Sequence, residues 1–554
     1  MVYQDGSEAV LWGVNLQPSL SWEYRRMANH GLHEPFEMDA YKAMIDEAYD
    51  ELELMGCNLI RIHLSPGDFT DTEGNLVENQ WLELTDYVLA EAEKRGMYTY
   101  LAFLNTLGAA RGKDTFISTK DDTKPIWMID PVFMAKADRF IRQLLNRQNR
   151  FSGGAKYKSS PALAIVEPIN EPGYFTREEI EAYPNCLAVY LDWLKANGKA
   201  DSVEGFTTWR ADNSKRYINR MVQFFRDEGV AAPMSWSMEW PRMMEWTGED
   251  VFEAAAESDA EIVSVCFYPG QAAAYQKRGE DLKAIGEQNY FGYIQQSYDE
   301  QPWHGWMRDE RFRKKARIVY EFETYYNQTS YLYPLMAKYF RAQGIQAAAM
   351  WTYILPGQAE YTAAAHNLNL KTTPNKTAAF IAAGEVMKSQ PRYELFSTTS
   401  ETEDYFSNTA LSYELGCSAF GTGRQLIHSE SLPQEFIDHL PPLSEEFDRM
   451  VGRGDSPYVK YGGSGLYFIE SQSGKGVTIK ILPDAEFVLP RYLPNGRGEK
   501  TVELTVEKSH SFELNLPGFG NDCKVYRKVD GQWKRITSIG ARFEALPGEY
   551  LIKK

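Results

Sequence analysis

The chain has 554 residues, a formal net charge of −18, 43% hydrophobic and 14% aromatic residues. That length exceeds what one compact core supports and predicts a large domain joined to a smaller one. The acidity excludes nucleic acid and anionic membrane surfaces as natural partners, and no apolar run approaches the roughly 18 residues of a membrane-spanning helix. The five cysteines are odd in number and scattered, so they form neither a disulfide framework nor a metal-ligand pattern. The opening stretch MVYQDGSEAVLWGVN has no basic n-region and no apolar h-region. It fits a cytoplasmic protein or a secreted or surface-attached one whose leader has been removed, so localisation stays open. The 34 Tyr, 28 Phe and 13 Trp suit either a large aromatic core or stacking on sugar rings.

From the start to about residue 390, apolar strand-like runs alternate with amphipathic helical stretches. The strands are VLWGVN (10–15), NLIRIHL (58–64), MYTYLAFL (97–104), ALAIVEPI (162–169), PMSWSM (233–238), EIVSVCFY (261–268), RIVYEF (317–322) and AAAMWTYI (347–354). Between them, Asp39 is expected to cap a helix running to Met55, and a second helix runs from Trp81 to Arg95. Asp130-Pro131 opens a third, and others fit 213–228, 329–343 and 375–388. Continuous apolar strands alternating with helices predict a parallel sheet covered by helices. Eight repeats predict an α/β fold, a (β/α)8 TIM barrel over residues 1–390. A doubly wound sheet is the alternative, but no Gly-rich phosphate fingerprint follows the first strand. Beyond residue 390, short alternating runs separated by turns predict an all-β, sandwich-like domain over 391–554.

A barrel of this kind carries its chemistry where strands end and loops begin. Strand two ends near Arg61 and His63, strand three at Leu104 and Asn105, and strand four at Asn170 and Glu171. Strand six ends at Cys266 and Tyr268, strand seven at Glu321 and Glu323, strand eight at Trp351 and Tyr353. Strands four and seven face one another across the mouth, so Glu171 and Glu321 are placed to converge. Glycosidic hydrolysis needs one protonated and one ionised carboxyl; a separation of about 5–5.5 Å gives a covalent intermediate and retained stereochemistry. A lone strand-end glutamate is ordinarily a solvated or paired surface group; it is the pairing that carries the prediction. Glu167 sits deeper and is expected to pair inside the barrel.

AIVEP followed by INEPGY, with VYEFET two strands later, resembles the clan of retaining (β/α)8 glycosidases that contains glycoside hydrolase family 5. The resemblance implies Glu171 as acid/base, Asn170 as binder of the sugar 2-hydroxyl and Glu321 as nucleophile. It further implies Arg61 and Tyr268 beside the nucleophile and Trp351 as a sugar platform. His63, Asn105 and Trp22 join them as candidate substrate-binding residues. Three departures stand out: strand three ends in Leu104-Asn105 rather than histidine, strand six reads Cys266-Phe267-Tyr268, and Glu323 replaces a glycine. Neither metal nor cofactor is required by a two-carboxylate mechanism. The expected activity is a β-glycoside hydrolase with a carbohydrate substrate. Exo-acting release of single sugars and a catalytically silent carbohydrate-binding protein are the alternatives. Trp127, Trp236, Trp240 and Trp303 are further stacking candidates, and His366 is placed in the last loop.

Overall fold

In the computed structural model, all residues are described except 4, 17–20, 22–23, 25–26, 29–35, 108–113, 118–120, 240–243, 245–247, 271–285, 325, 362–365, 473–475, 490–501, 517–518, 520–521 and 554. Eight parallel strands form the first sheet: β1 Leu11–Leu16, β2 Leu59–His63, β3 Tyr98–Leu104, β4 Leu163–Ile169, β5 Ser235–Ser237, β6 Ile262–Phe267, β7 Ala316–Phe322 and β8 Ile345–Tyr353. Their order is β4-β3-β2-β1-β8-β7-β6-β5. A parallel bridge between Val166 and Met234 joins the two outer strands, and Val166 N–H donates to the Pro233 carbonyl at 3.1 Å. The sheet is therefore a closed (β/α)8 barrel, as the eight-fold alternation predicts.

The longer helices are α1 Met38–Leu54, α2 Gln80–Lys94, α3 Pro131–Asn146, α4 Pro184–Asn197, α5 Val203–Asp227, α6 Asp250–Glu257, α7 Phe291–Asp299, α8 Leu332–Ala342 and α9 Pro374–Ser389. Asp130 caps α3 as expected, accepting from the amides of Val132 and Phe133. Asp39 is not the cap of α1; that position is Glu37, and Asp39 lies in the first turn, where its charge meets the positive end of the helix dipole. Helix α5 begins ten residues before the expected start because Ser202 caps it, accepting from the Gly205 amide.

The C-terminal region is β apart from one short helix, Gln434–His439. Its strands are β9 Glu403–Phe406, β10 Thr409–Ser412, β11 Cys417–Gly421, β12 Gln425–His428, β13 Arg449–Gly452, β14 Val459–Tyr461, β15 Tyr467–Ser471 and β16 Val477–Ile481. They continue with β17 Asp484–Val488, β18 Val502–Val506, β19 His510–Leu514, β20 Lys524–Val529, β21 Gln532–Arg535, β22 Arg542–Ala545 and β23 Gly548–Lys553. A ten-stranded sheet, a three-stranded sheet and the two-stranded ribbon β17–β18 result. Helix α8 is buried along its whole length, and α9 almost so, because both lie between the barrel and the ten-stranded sheet. A helix covered on two sides carries apolar residues all round rather than on one stripe. Leu411, Phe420, Ile427, Val451 and Phe468 of the C-terminal region accordingly join the same apolar core as the barrel helices. No described helix is long and apolar enough to cross a membrane.

Candidate active site

Arg61, at the end of β2, is fully buried inside the barrel and organises the mouth. Its Nη1 donates to Glu321 Oε1 at 2.6 Å and to Asn15 Oδ1 at 2.9 Å. Its Nη2 donates to Asn170 Oδ1 at 2.8 Å and to Glu167 Oε2 at 3.0 Å. One guanidinium therefore ties β1, β2, β4 and β7 together through a planar fork of donors. Burial works against its charge, but Glu167 and Glu321 outweigh it and hold the guanidinium charged beyond its ordinary range. Glu167 is fully buried and takes a further hydrogen bond from the Tyr100 hydroxyl. It is the deep, paired carboxylate that its position predicts.

His63 Nε2 lies 3.0 Å from Arg61 Nη1. The two Nη1 hydrogens already serve Glu321 and Asn15, and Nε2 also lies 3.5 Å from Glu321 Oε1. Burial, then the charges of Arg61 and Lys124, hold His63 neutral far below the usual imidazole value. Its ring meets the half-buried Trp351 edge-on, with centroids 5.3 Å apart, and Trp351 is joined to Thr352 by a cis peptide.

Glu321 reaches the interior through an irregularity in β7. Ile318 and Tyr320 face the barrel interior with Ile262 and Cys266, so strict alternation would turn Glu321 outward. The register against β6 slips there: Val265 opposes Val319, yet Cys266 opposes Glu321. The extra residue turns Glu321 inward beside Tyr320, as bulges do at the rims of barrels. Tyr268 donates its hydroxyl to Glu321 Oε2 at 2.7 Å, so both carboxylate oxygens are held. Burial raises the Glu321 carboxyl above the ordinary glutamate range; Arg61 and the Tyr268 hydroxyl pull the other way. An ion pair at 2.6 Å with a permanently charged guanidinium keeps the ionised form at neutral pH.

Facing it, Glu171 follows β4 with φ of +50°. That is left-handed backbone, rare for a residue with a side chain and costing on the order of 1–3 kcal/mol when forced. Gly173, two residues on, is also left-handed at +66°, and its amide donates to Glu239 Oε1 at 2.6 Å. Glu239 follows β5 and is itself left-handed at +58°. Tyr320 donates to Glu171 Oε1 at 3.1 Å, and Lys124 Nζ lies 3.8 Å from Glu171 Oε2. The hairpin turn after β4 is thus held from β5, β7 and the 3₁₀ segment Asp121–Met128.

The structure gathers Arg61, His63, Asn170, Glu171, Tyr268, Glu321 and Trp351 at one end of the barrel. Asn105 is buried nearby, accepting from Ser65 Oγ at 2.9 Å and from the Leu107 amide at 3.0 Å, while its Nδ2 finds no partner among the described residues. Trp22 and Trp240 lie outside the described residues. Trp127, Trp236 and Trp303 are buried, Trp127 stacked on Phe133. Cys266 is fully buried, and burial raises its thiol well above the usual range. His366 packs against Tyr268, ring centroids 5.4 Å apart. Four members of the cluster escaped the sequence: Asn15, Lys124, Glu239 and Tyr320. Asn15 and Glu239 each close an apolar strand run, which is a readable signal; Lys124 comes from the 3₁₀ segment after β3 and has none. Among the described residues, no three His, Cys, Asp or Glu side chains are grouped to hold a metal ion.

Tyr268→Phe removes one of the two bonds that favour ionised Glu321. The carboxyl should then titrate higher, because its charged form has lost a donor. Activity that needs this carboxylate is lost as pH falls through its pKa. The acid limb of the kcat/KM profile should therefore move to higher pH by about one unit. An unmoved limb in that profile would count against Glu321 as the ionised group.

No family model matches the chain. It is 23% identical to "Mannan endo-1,4-beta-mannosidase 5" of Arabidopsis thaliana over 234 residues, 40% of this chain and 48% of that protein. The four curated relatives that match do so over 31% to 48% of their own length. Among solved structures, the endo-beta-1,4-mannanase from Thermotoga petrophila aligns over 98% of both chains with 11% identity and a TM-score of 0.47. The endo-1,4-beta-mannanase from Rhizomucor miehei aligns over 70% of this chain and 97% of its own, with 14% identity and a TM-score of 0.44. The chain is thus similar, over part of its length, to proteins named as mannan endo-1,4-beta-mannosidases, and its first eight strands close into a (β/α)8 barrel.

Proposed function

We propose that the protein is a retaining β-glycoside hydrolase acting on β-mannosidic linkages. In this reading residues 1–390 carry catalysis and residues 391–554 form the accessory region. The observation that carries it is the shared clamp: Arg61 bonds Glu321 and Asn170 at once, and Tyr320, beside Glu321 in the chain, bonds Glu171. Two carboxylates from opposite strands are thereby held in different environments. Glu321 takes one hydrogen bond from the Arg61 cation and one from the Tyr268 hydroxyl, whereas Glu171 is a quarter exposed on its side chain.

Glu321 attacks the anomeric carbon as the glycosidic C–O bond breaks, and Glu171 delivers its proton to the departing oxygen. Glu171, now a carboxylate, takes a proton from water, whose oxygen attacks the same carbon and displaces Glu321. Asn170 Oδ1 is occupied by Arg61, which leaves its Nδ2 to donate to the sugar 2-hydroxyl. That bond strengthens as charge develops on the ring, and so favours the transition state over the bound substrate. Trp351, half-buried beside His63, offers an apolar face. The mannoside preference follows the named activity of the Arabidopsis relative.

The test compares wild type, Glu171→Ala and Glu321→Ala on β-1,4-mannan and on aryl β-mannosides and β-glucosides. Glu171→Ala should lose roughly 10²–10⁴-fold on mannan. It should lose far less on an aryl glycoside whose phenol leaves without a proton. Equal turnover by all three proteins would overturn the two-glutamate reading, and preference for the glucoside would overturn the mannoside assignment alone.

A further inference from the structure

Glu503 stands on β18, in the two-stranded ribbon of the C-terminal region, yet it is buried against the barrel. Asn367, from the segment that follows β8, donates Nδ2 to Glu503 Oε2 at 3.1 Å. That segment continues the barrel sheet: Thr352 N–H donates to the His366 carbonyl at 2.7 Å, and Leu368 N–H to the Thr352 carbonyl at 3.0 Å. In extended backbone, neighbouring side chains point to opposite faces. Asn367 turns to Glu503, and His366 turns to Tyr268, which holds Glu321.

A second connection runs to the same place. Lys376, on α9, is fully buried and pairs with Glu323 at 2.8 Å, two residues past Glu321. Its ammonium also donates to the Asn367 carbonyl at 2.8 Å. Glu323 is in turn bonded by the Thr324 amide and by Asn327. Asn367 is therefore gripped at its side chain by the C-terminal ribbon and at its carbonyl by a group tied to the nucleophile's strand.

We propose that the C-terminal region is part of the catalytic unit, with Glu503 as a positioning residue. Through Asn367 it holds residues 366–368, and with them His366 and Tyr268, beside Glu321. The proposal rests on the reading of Glu321 as nucleophile. Burial pushes the Glu503 carboxyl up to about 8, against Lys376 and Asn367, which lower it; the Glu323 charge adds to the rise. Glutamine reproduces its shape and its acceptor.

The test uses the full chain and compares Glu503→Ala, Glu503→Gln and wild type at one neutral pH. Hydrogen exchange of peptides covering 366–373 and 316–323 is followed with kinetics on an aryl β-mannoside. Glu503→Ala should exchange faster across 366–373 and lose roughly ten- to a hundredfold in kcat with little change in KM. Glu503→Gln should match wild type in both. Should Glu503→Ala fail to fold, Asn367→Ala cuts the same bond from the barrel side and should behave alike. Faster exchange confined to residues 484–506, or a glutamine variant as impaired as the alanine, overturns the proposal. A wild type that cleaves no glycoside removes the proposed activity, and exchange across 366–373 then decides the positioning claim by itself.

Discussion

Glu321→Ala should abolish turnover on every glycoside, by roughly 10⁴-fold or more, since it removes the attacking group rather than a proton donor. Arg61 and Tyr268 would then aim two donors into a small void. Azide or formate supplied at high concentration fits that void and accepts from those donors. It should restore cleavage of an activated aryl β-mannoside by direct attack on the anomeric carbon. One displacement in place of two inverts the sugar, so the azide product should be the α anomer. The same anion added to Glu171→Ala should instead trap the glycosyl-enzyme from the other face and give the β anomer. Product stereochemistry read by proton NMR separates the two roles. A β-azide from Glu321→Ala would reverse them.

Arg61→Met should have the largest effect on stability. The thioether fills much of the same space, but it leaves Glu167 and Glu321 buried without their cation. Removing one partner of a buried pair costs about 3–5 kcal/mol, because the remaining charge is uncompensated. Both carboxyls escape part of that penalty by taking up protons, which raises their folded pKa values above the unfolded ones. The unfolded chain then holds fewer protons than the folded one across the intervening range. Stability must fall as pH rises through it. Urea midpoints for the variant should therefore decline from acid to neutral pH more steeply than for wild type. Parallel declines would show that Arg61 does not hold these carboxylates ionised.

The barrel is legible in the sequence because each strand is buried on both faces and reads as an unbroken apolar run. NLIRIHL and MYTYLAFL leave little else to predict. Helices are less so: α4, α6 and α7 fall in long βα connections where the apolar period is short and interrupted. Within the site, Arg61, Asn170, Glu171 and Glu321 stand out because a charge or amide at the end of an apolar run is anomalous. Tyr320 is hidden by the register slip in β7, which no pattern of period two reveals. Lys124 is hidden for a different reason. It arrives from a segment joined to β3 by a loop, and only tertiary packing brings it to Glu171. Glu323 was legible as a departure from the family pattern; its partner Lys376, buried in α9, was not.

The burial of α8 and α9 on two sides bears on how the molecule comes apart. Helix α8 packs on β7 and β8, the strands that carry Glu321 and Trp351, and α9 on Trp12 of β1, and they share apolar contacts with β10, β11 and β12. Lys338 of α8 reaches Asp404 at 2.6 Å across the same seam. Cutting the chain after α9 would leave a greasy plane facing water on the side of the barrel that holds Glu321. The C-terminal sheet is in that sense an outer wall rather than a passenger. Loosening that wall would uncover α8 and α9, so the two halves are expected to unfold together.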